Sequence, residues 1–128
     1  MGLEITVEAE VHPTEDIEKI KRAILALFPD CTFTILAGKI VGKSYSVDTF
    51  AQILKEERIR DTARSVFLSS LKRHPHEIIF GINKQVATVG KVSFSVENVP
   101  LGNIIITIKG ENLRELIDEI APDTRELR

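Results

Sequence analysis

Leu3-Glu4-Ile5-Thr6-Val7-Glu8-Ala9-Glu10-Val11 decides how the fold is read. Leu3, Ile5, Val7, Ala9 and Val11 fall on one side of an extended chain, and Glu4, Thr6, Glu8 and Glu10 on the other. A period of two with one polar side marks a strand that buries one face and shows the other to water. A sheet of such strands needs a second layer on its apolar side alone. The glutamate row reads as a solvated face rather than a cation site, because no His or Asp converges on it in sequence.

Working outward, Pro13 and Thr14 open a helix, with Thr14 placed to cap free amides and Glu15 and Asp16 favoured by the helix dipole. Ile17, Ile20, Ile24, Leu27 and Phe28 form its apolar stripe. Glu15 with Lys19, and Glu18 with Arg22, stand four apart with the acid first, the order that stabilises a helix surface. Strands are expected over Cys31–Ala37 and Ile40–Val47. Phe50, Ile53 and Leu54 mark a helix to about Glu57; Ala63, Val66, Phe67 and Leu71 mark another, stopped at His74-Pro75. Strands are expected again at Glu77–Ile82, Val86–Val89, Val92–Val96 and Asn103–Lys109. The apolar run Ile104–Ile108 suggests a central strand covered on both sides. Leu113, Leu116, Ile117 and Ile120 give a last helix, closed by Pro122. The order is not a regular βαβ alternation. It fits one α+β domain over residues 1–128: a two-layer sandwich with a mostly antiparallel or mixed sheet and helices packed on one face.

Composition removes several classes. The 128 residues are 43% hydrophobic and 28% charged, ordinary for a soluble globular chain. The single Cys31 cannot form an intrachain disulfide. The longest apolar run is far short of the roughly 20 residues that span a bilayer, so no membrane partner is expected. The N-terminus lacks the basic start of a signal peptide. Gly2 and Thr6 fit the myristoylation spacing, but a strand beginning at Leu3 holds Gly2 close to the body. The expected location is cytoplasmic. Few Asn, Gln, Met and Cys against many charged residues lean towards a thermophile.

Ala37-Gly38-Lys39-Ile40-Val41-Gly42-Lys43-Ser44 has the spacing of a phosphate-binding loop. That chemistry needs a helix starting at once at Lys-Ser, whereas Tyr45, Ser46 and Val47 continue to alternate and Ile40 and Val41 favour extended backbone. A β-hairpin with glycine turns is the better reading. His74-Pro75-His76 lacks a third metal ligand at a useful spacing, and His12 reads as a strand-end residue. Cys31 has no partnering base and reads as a buried thiol. No hydrolase, zincin or redox motif occurs, so neither catalysis nor a cofactor or metal is expected.

Charge placement is more informative. Residues 58–91 hold Arg58, Arg60, Arg64, Lys72, Arg73, Lys84 and Lys91 against Asp61 and Glu77, a local +5. The flanking stretches carry −4 and −3, so the total of −2 conceals a basic middle. Arg60, Arg64, Leu68 and Lys72 recur every four residues, a helical stripe able to meet phosphate, with Leu68 offering a subunit contact instead. One Tyr and six Phe, mostly at core-like positions, argue against a base-stacking sheet. Recognition of RNA backbone and shape fits better.

Several spaced motifs then carry a resemblance: Pro13-Thr14-Glu15-Asp16, Phe28-Pro29, Asp61-Thr62-Ala63-Arg64, Asn83-Lys84-Gln85, Gly90-Lys91-Val92 with Phe94, Pro100-Leu101-Gly102 and Ala121-Pro122. Over nearly the whole chain the sequence resembles the archaeal uncharacterised protein family 0201, small proteins regarded as RNA-binding or exosome-associated. The phosphate-loop-like segment is not part of that pattern. Val86 replaces an expected Ala, and Arg60 an expected apolar residue, which adds to the basic stripe. The resemblance implies a fold similar to large-subunit ribosomal protein five, a homodimer in some members, and RNA-processing or ribosomal partners. Two readings of the shared residues stand side by side. In one, Arg58, Arg60, Arg64, Lys72, Lys84 and Lys91 meet phosphate while Asn83 and Gln85 bond a 2′-hydroxyl or a base edge. In the other, Asp61 caps a helix and pairs with Arg64, and Asn83 and Gln85 satisfy a strand end. The rival function is a homodimeric protein–protein adaptor using Leu68 and a strand edge, without RNA contact.

Overall fold

A computed structural model describes residues 2–95 and 102–123. Val96, at the end of one expected strand, and Pro100-Leu101 of the family motif lie outside these residues. The elements are β1 (Glu4–Glu10), α1 (Ile17–Leu27), β2 (Thr32–Leu36), β3 (Lys39–Ser44), α2 (Asp48–Glu56), α3 (Arg60–Arg73), β4 (Glu77–Asn83), α4 (Lys84–Thr88), β5 (Phe94–Ser95), β6 (Asn103–Lys109) and α5 (Leu113–Ile120). The strands form one sheet in the order β2-β3-β1-β6-β4-β5, and every neighbouring pair is antiparallel. The α+β two-layer reading holds, and the sheet is antiparallel rather than mixed.

Alternation fixes the register. Ile5 faces Ile108 and Ser44, Val7 faces Ile106 and Gly42, and Ala9 faces Ile104 and Ile40. A slip of one residue would turn the whole set to solvent. These residues are buried beneath the helices with Ile20, Ile24, Phe50, Phe67 and Ile117. Phe67 stacks tilted on Phe80 at 5.0 Å and edge-on to Phe94 at 5.9 Å, so α3 is keyed into β4 and β5 by aromatic packing.

Among the described residues the opposite face carries no helix. On it Lys43 meets Glu4 at 3.0 Å, Lys39 meets Glu8 at 3.0 Å and Lys109 meets Glu77 at 3.8 Å. Glu4 and Glu8 of the glutamate row are therefore paired across strands. β6 is central, as expected, but only one side is covered: Ile104, Ile106 and Ile108 are buried, while Ile105 and Thr107 are half-buried on the open face.

Three local expectations change. Asp16, not Thr14, caps α1, accepting from the Glu18 amide at 2.9 Å. The chain turns through His12–Glu15 first, where the Glu15 amide donates to the His12 carbonyl at 2.9 Å. Glu15 thus precedes the helix and cannot reach Lys19 along it, and Glu18 pairs with Lys21 at 3.5 Å rather than with Arg22. The third change is at 86–89, expected as a strand because Val86 and Val89 are β-branched. Lys84–Thr88 is a short helix instead, started by Asn83, whose side chain accepts from the Val86 amide at 2.9 Å.

Candidate nucleic-acid interface

The basic middle of the sequence is not one surface. Arg64 bolts α3 to α5, donating to Asp118 Oδ1 at 2.9 Å and to the Ala121 carbonyl at 3.2 Å. Its hydrogen bond holds the Asp118 carboxyl below the usual range. Leu68 is partly buried against the core. The four-residue stripe on α3 is therefore interrupted: Arg60 is half-buried at one end, and exposed Lys72 stands at the other, about 20 Å away. Lys72 and Arg73 occupy the last turn, where the helix dipole favours cations.

Lys84 corrects the phosphate-contact expectation most sharply. It is 2% exposed, and its ammonium donates to the Glu10 carbonyl at 2.8 Å and to Glu15 Oε1 at 3.0 Å. A buried lysine needs such partners, and the short strand-to-helix junction aims its stem inward. Asn83 is exposed with its side-chain oxygen committed to the cap, and Gln85 is exposed beside it.

The turn that holds Lys91 is tied to the corner that holds Arg58, although 33 positions separate the two residues. The Val92 amide donates to Glu57 Oε1 at 3.2 Å, tying the turn after α4 to the corner between α2 and α3. Both side chains are exposed. Arg58 has φ of 58° because it closes α2 in a left-handed cap: its amide donates to the Lys55 carbonyl at 3.2 Å and the Ile59 amide to the Leu54 carbonyl at 3.0 Å. Gly90, beside Lys91, has φ of 80°, which glycine adopts freely.

Two residues missed by sequence counting extend this corner. Lys19 and Arg22, on the polar side of α1, line a groove of about 500 Å³ with Ala23, Ala26, Thr88 and Val89. Lys19, Arg22, Arg58 and Lys91 are all exposed. The spacing of three between Lys19 and Arg22 was the available signal, masked by the surrounding acids of residues 1–57. A second groove, about 570 Å³, runs between α2 and α5 and is lined by Tyr45, Asp48, Gln52, Lys55, Arg60 and Glu119.

The phosphate-loop-like segment is a hairpin. Gly38 turns it with φ of 70°, and Lys43 Nζ is held by Glu4 Oε1 and Thr6 Oγ1, each at 3.0 Å. Ser44 is buried and donates to Asp30. Gly42 faces the core, where a Cβ would run into Cys31 Sγ. Burial, with Asp30 nearby, pushes the Cys31 thiol up to about 11, so it is not a nucleophile at neutral pH. Among the described residues no group of three or more His, Cys, Asp or Glu is placed to hold a metal ion. No helix among the described residues is long and apolar enough to cross a membrane.

An antiparallel sheet with helices on one side defines a small α+β protein, and the family model that matches residues 4–111 is described as RNA binding. The chain belongs to the UPF0201 family. It is 40% identical to the UPF0201 protein of Thermococcus onnurineus, covering 96% of this chain and 94% of that one. It is 38% identical to a UPF0200/UPF0201 protein of Archaeoglobus fulgidus, covering 99% of this chain but spanning only 40% of that longer protein. The crystal structure of the UPF0201 protein from Methanococcus jannaschii superposes with a TM-score of 0.84 at 33% identity, over 94% of each chain.

Proposed function

We propose that this chain binds structured RNA without transforming it, gripping backbone phosphates through Lys19, Arg22, Arg58 and Lys91. The observation that carries the reading is a set of four exposed cations on three different segments, two of them lining the groove beside α4 and the other two on turns tied together by the bond from the Val92 amide to Glu57. Three other basic side chains, Lys21, Arg64 and Lys84, each have a carboxylate partner. Unpaired cations on a surface release counterions when they meet phosphate, which favours polyanions over proteins. The RNA-binding family model supports the same class of ligand. Arg64 and Lys84 act in this reading as internal braces that hold α3 and α4 in place.

The test is fluorescence anisotropy with a labelled, folded RNA across a potassium chloride series. The logarithm of affinity falls linearly with the logarithm of salt, by about 0.7–0.9 per phosphate neutralised. Replacing the four cations by Ala removes most of that slope. Affinity indifferent to salt, or unchanged in the fourfold variant, overturns the reading.

One observation favours a second reading, a homodimeric adaptor beside RNA-processing or translation machinery. β2 is an edge strand, and Ile35 and Leu36 on it are 56% and 52% exposed. Such an edge invites pairing with a second copy. Sedimentation of the chain and of an Ile35→Lys, Leu36→Lys variant decides it: a dimer lost in the variant supports this reading, and a monomer at both ends it.

A further inference from the structure

We propose that the groove between α2 and α5 receives one unpaired nucleotide of a bound RNA, with its base stacked on Tyr45. The inference rests on the RNA-binding reading and adds what part of the RNA is read.

Tyr45 is unlike the other aromatic residues. Phe28, Phe50, Phe67 and Phe80 are buried, whereas Tyr45 is 64% exposed at the groove. Its backbone is nevertheless fixed: the amide donates to Asp30 Oδ2 at 3.0 Å, and the other Asp30 oxygen accepts from buried Ser44. An exposed ring on an anchored backbone is a ready stacking surface that loses little freedom on binding.

The rest of the groove suits a nucleoside better than a row of phosphates. Lys55 and Arg60 are offset by Asp48 and Glu119, so the lining has no net charge to draw several phosphates. One cation suffices for a single phosphate, Arg60 can stack as a plane, and the carboxylates and Gln52 offer partners to base edges and to a 2′-hydroxyl. Val47 and Ile120 supply an apolar floor. The volume of about 570 Å³ is that of a small-ligand site. Arg60 lies two positions beyond Arg58, so a strand held at the cationic corner has a direct path into the groove.

The chain has one Tyr and no Trp, so its ultraviolet emission reports Tyr45 alone. The experiment titrates the full chain with an RNA duplex carrying a single-adenosine bulge and with a perfectly paired duplex of the same length, following anisotropy and Tyr45 emission together. The bulged duplex is expected to quench Tyr45 and to bind about tenfold more tightly than the paired one. Tyr45→Ala is expected to remove that advantage, and Tyr45→Phe to keep it. If both duplexes bind equally by anisotropy while Tyr45 emission stays constant, the nucleotide pocket is overturned and phosphate binding survives. If neither duplex binds, the RNA-binding reading fails and takes the pocket with it.

Discussion

Lys84 and Glu15 form an ion pair at 3.0 Å across 69 positions of sequence. The Lys84 side chain is 3% exposed, and that of Glu15 is 28% exposed. The same ammonium holds the Glu10 carbonyl at 2.8 Å, so one side chain closes the end of β1, the turn before α1 and the start of α4. Lys84→Ala takes the ammonium from both acceptors and leaves Glu15 only the bond from the His12 amide. We expect a loss of about 3 kcal/mol in urea denaturation, since breaking a buried pair costs more than the pair itself contributes. Lys84→Met keeps the packed stem and loses less. RNA affinity of the folded fraction stays within about twofold of the parent, because a buried ammonium neutralises no phosphate.

Acid is expected to unfold the protein through a few identifiable carboxylates. Burial pulls the Glu15 carboxyl up, but the His12 amide and the Lys84 ammonium outweigh it, and the net shift is downward from 4.5. The Ser44 hydroxyl and the Tyr45 amide hold Asp30 below 3.8. A group whose folded pKa lies below its unfolded value stabilises fully above the unfolded value, and that stability disappears as pH falls through the folded one. The thermal midpoint should therefore be level from pH 7 to about pH 5 and fall below about pH 4. Glu15→Gln should flatten part of that fall; an unchanged acid limb would assign it to other groups.

At Arg58 stability and affinity should move in opposite directions. Glycine at its φ of 58° relieves the left-handed strain, so Arg58→Gly is expected to gain about 0.5–1 kcal/mol. The same change removes a phosphate contact and lowers the salt slope by about 0.7–0.9. Arg64→Ala should do the reverse, lowering the thermal midpoint by separating α3 from α5 while leaving the slope intact.

Gly42→Ala should cost about 1–3 kcal/mol through overpacking, as its methyl meets Cys31 Sγ and comes within 3.3 Å of Phe33 Cδ1. Cys31→Ala in that background should recover part of the loss, and a double-mutant cycle measures how much. Native Cys31 should resist alkylation at neutral pH, its thiol being buried and raised to about 11.

The sheet was legible wherever alternation was clean. Ile5, Val7 and Ala9 announce β1 because burial on a pleated surface repeats every two residues, whereas the unbroken run Ile104–Ile108 announces a central strand but hides that one of its sides is open. α4 was not legible: Val86 and Val89 favour extended chain locally, and the Asn83 cap and the inward pull on Lys84 override them. The cationic corner was half legible. Arg58 and Lys91 stood out as charges, but a window of sequence also counted Lys84 and Arg64, whose partners lie 69 and 54 positions away. The same counting hid Lys19 and Arg22 among acids that turn elsewhere. Charge along a chain says little about charge on a surface until the partners are known.

The lysine–glutamate pairs across the open sheet face have a kinetic consequence. Their fields cancel within a few ångströms, so an approaching polyanion is hardly drawn to that side. Exposed Lys19 and Arg22 lie on α1, on the helical side, and attraction reaches outward from there. Collisions are thereby sorted by orientation before any contact forms, and added salt acts first on the rate of arrival, leaving the rate of departure to the contacts themselves.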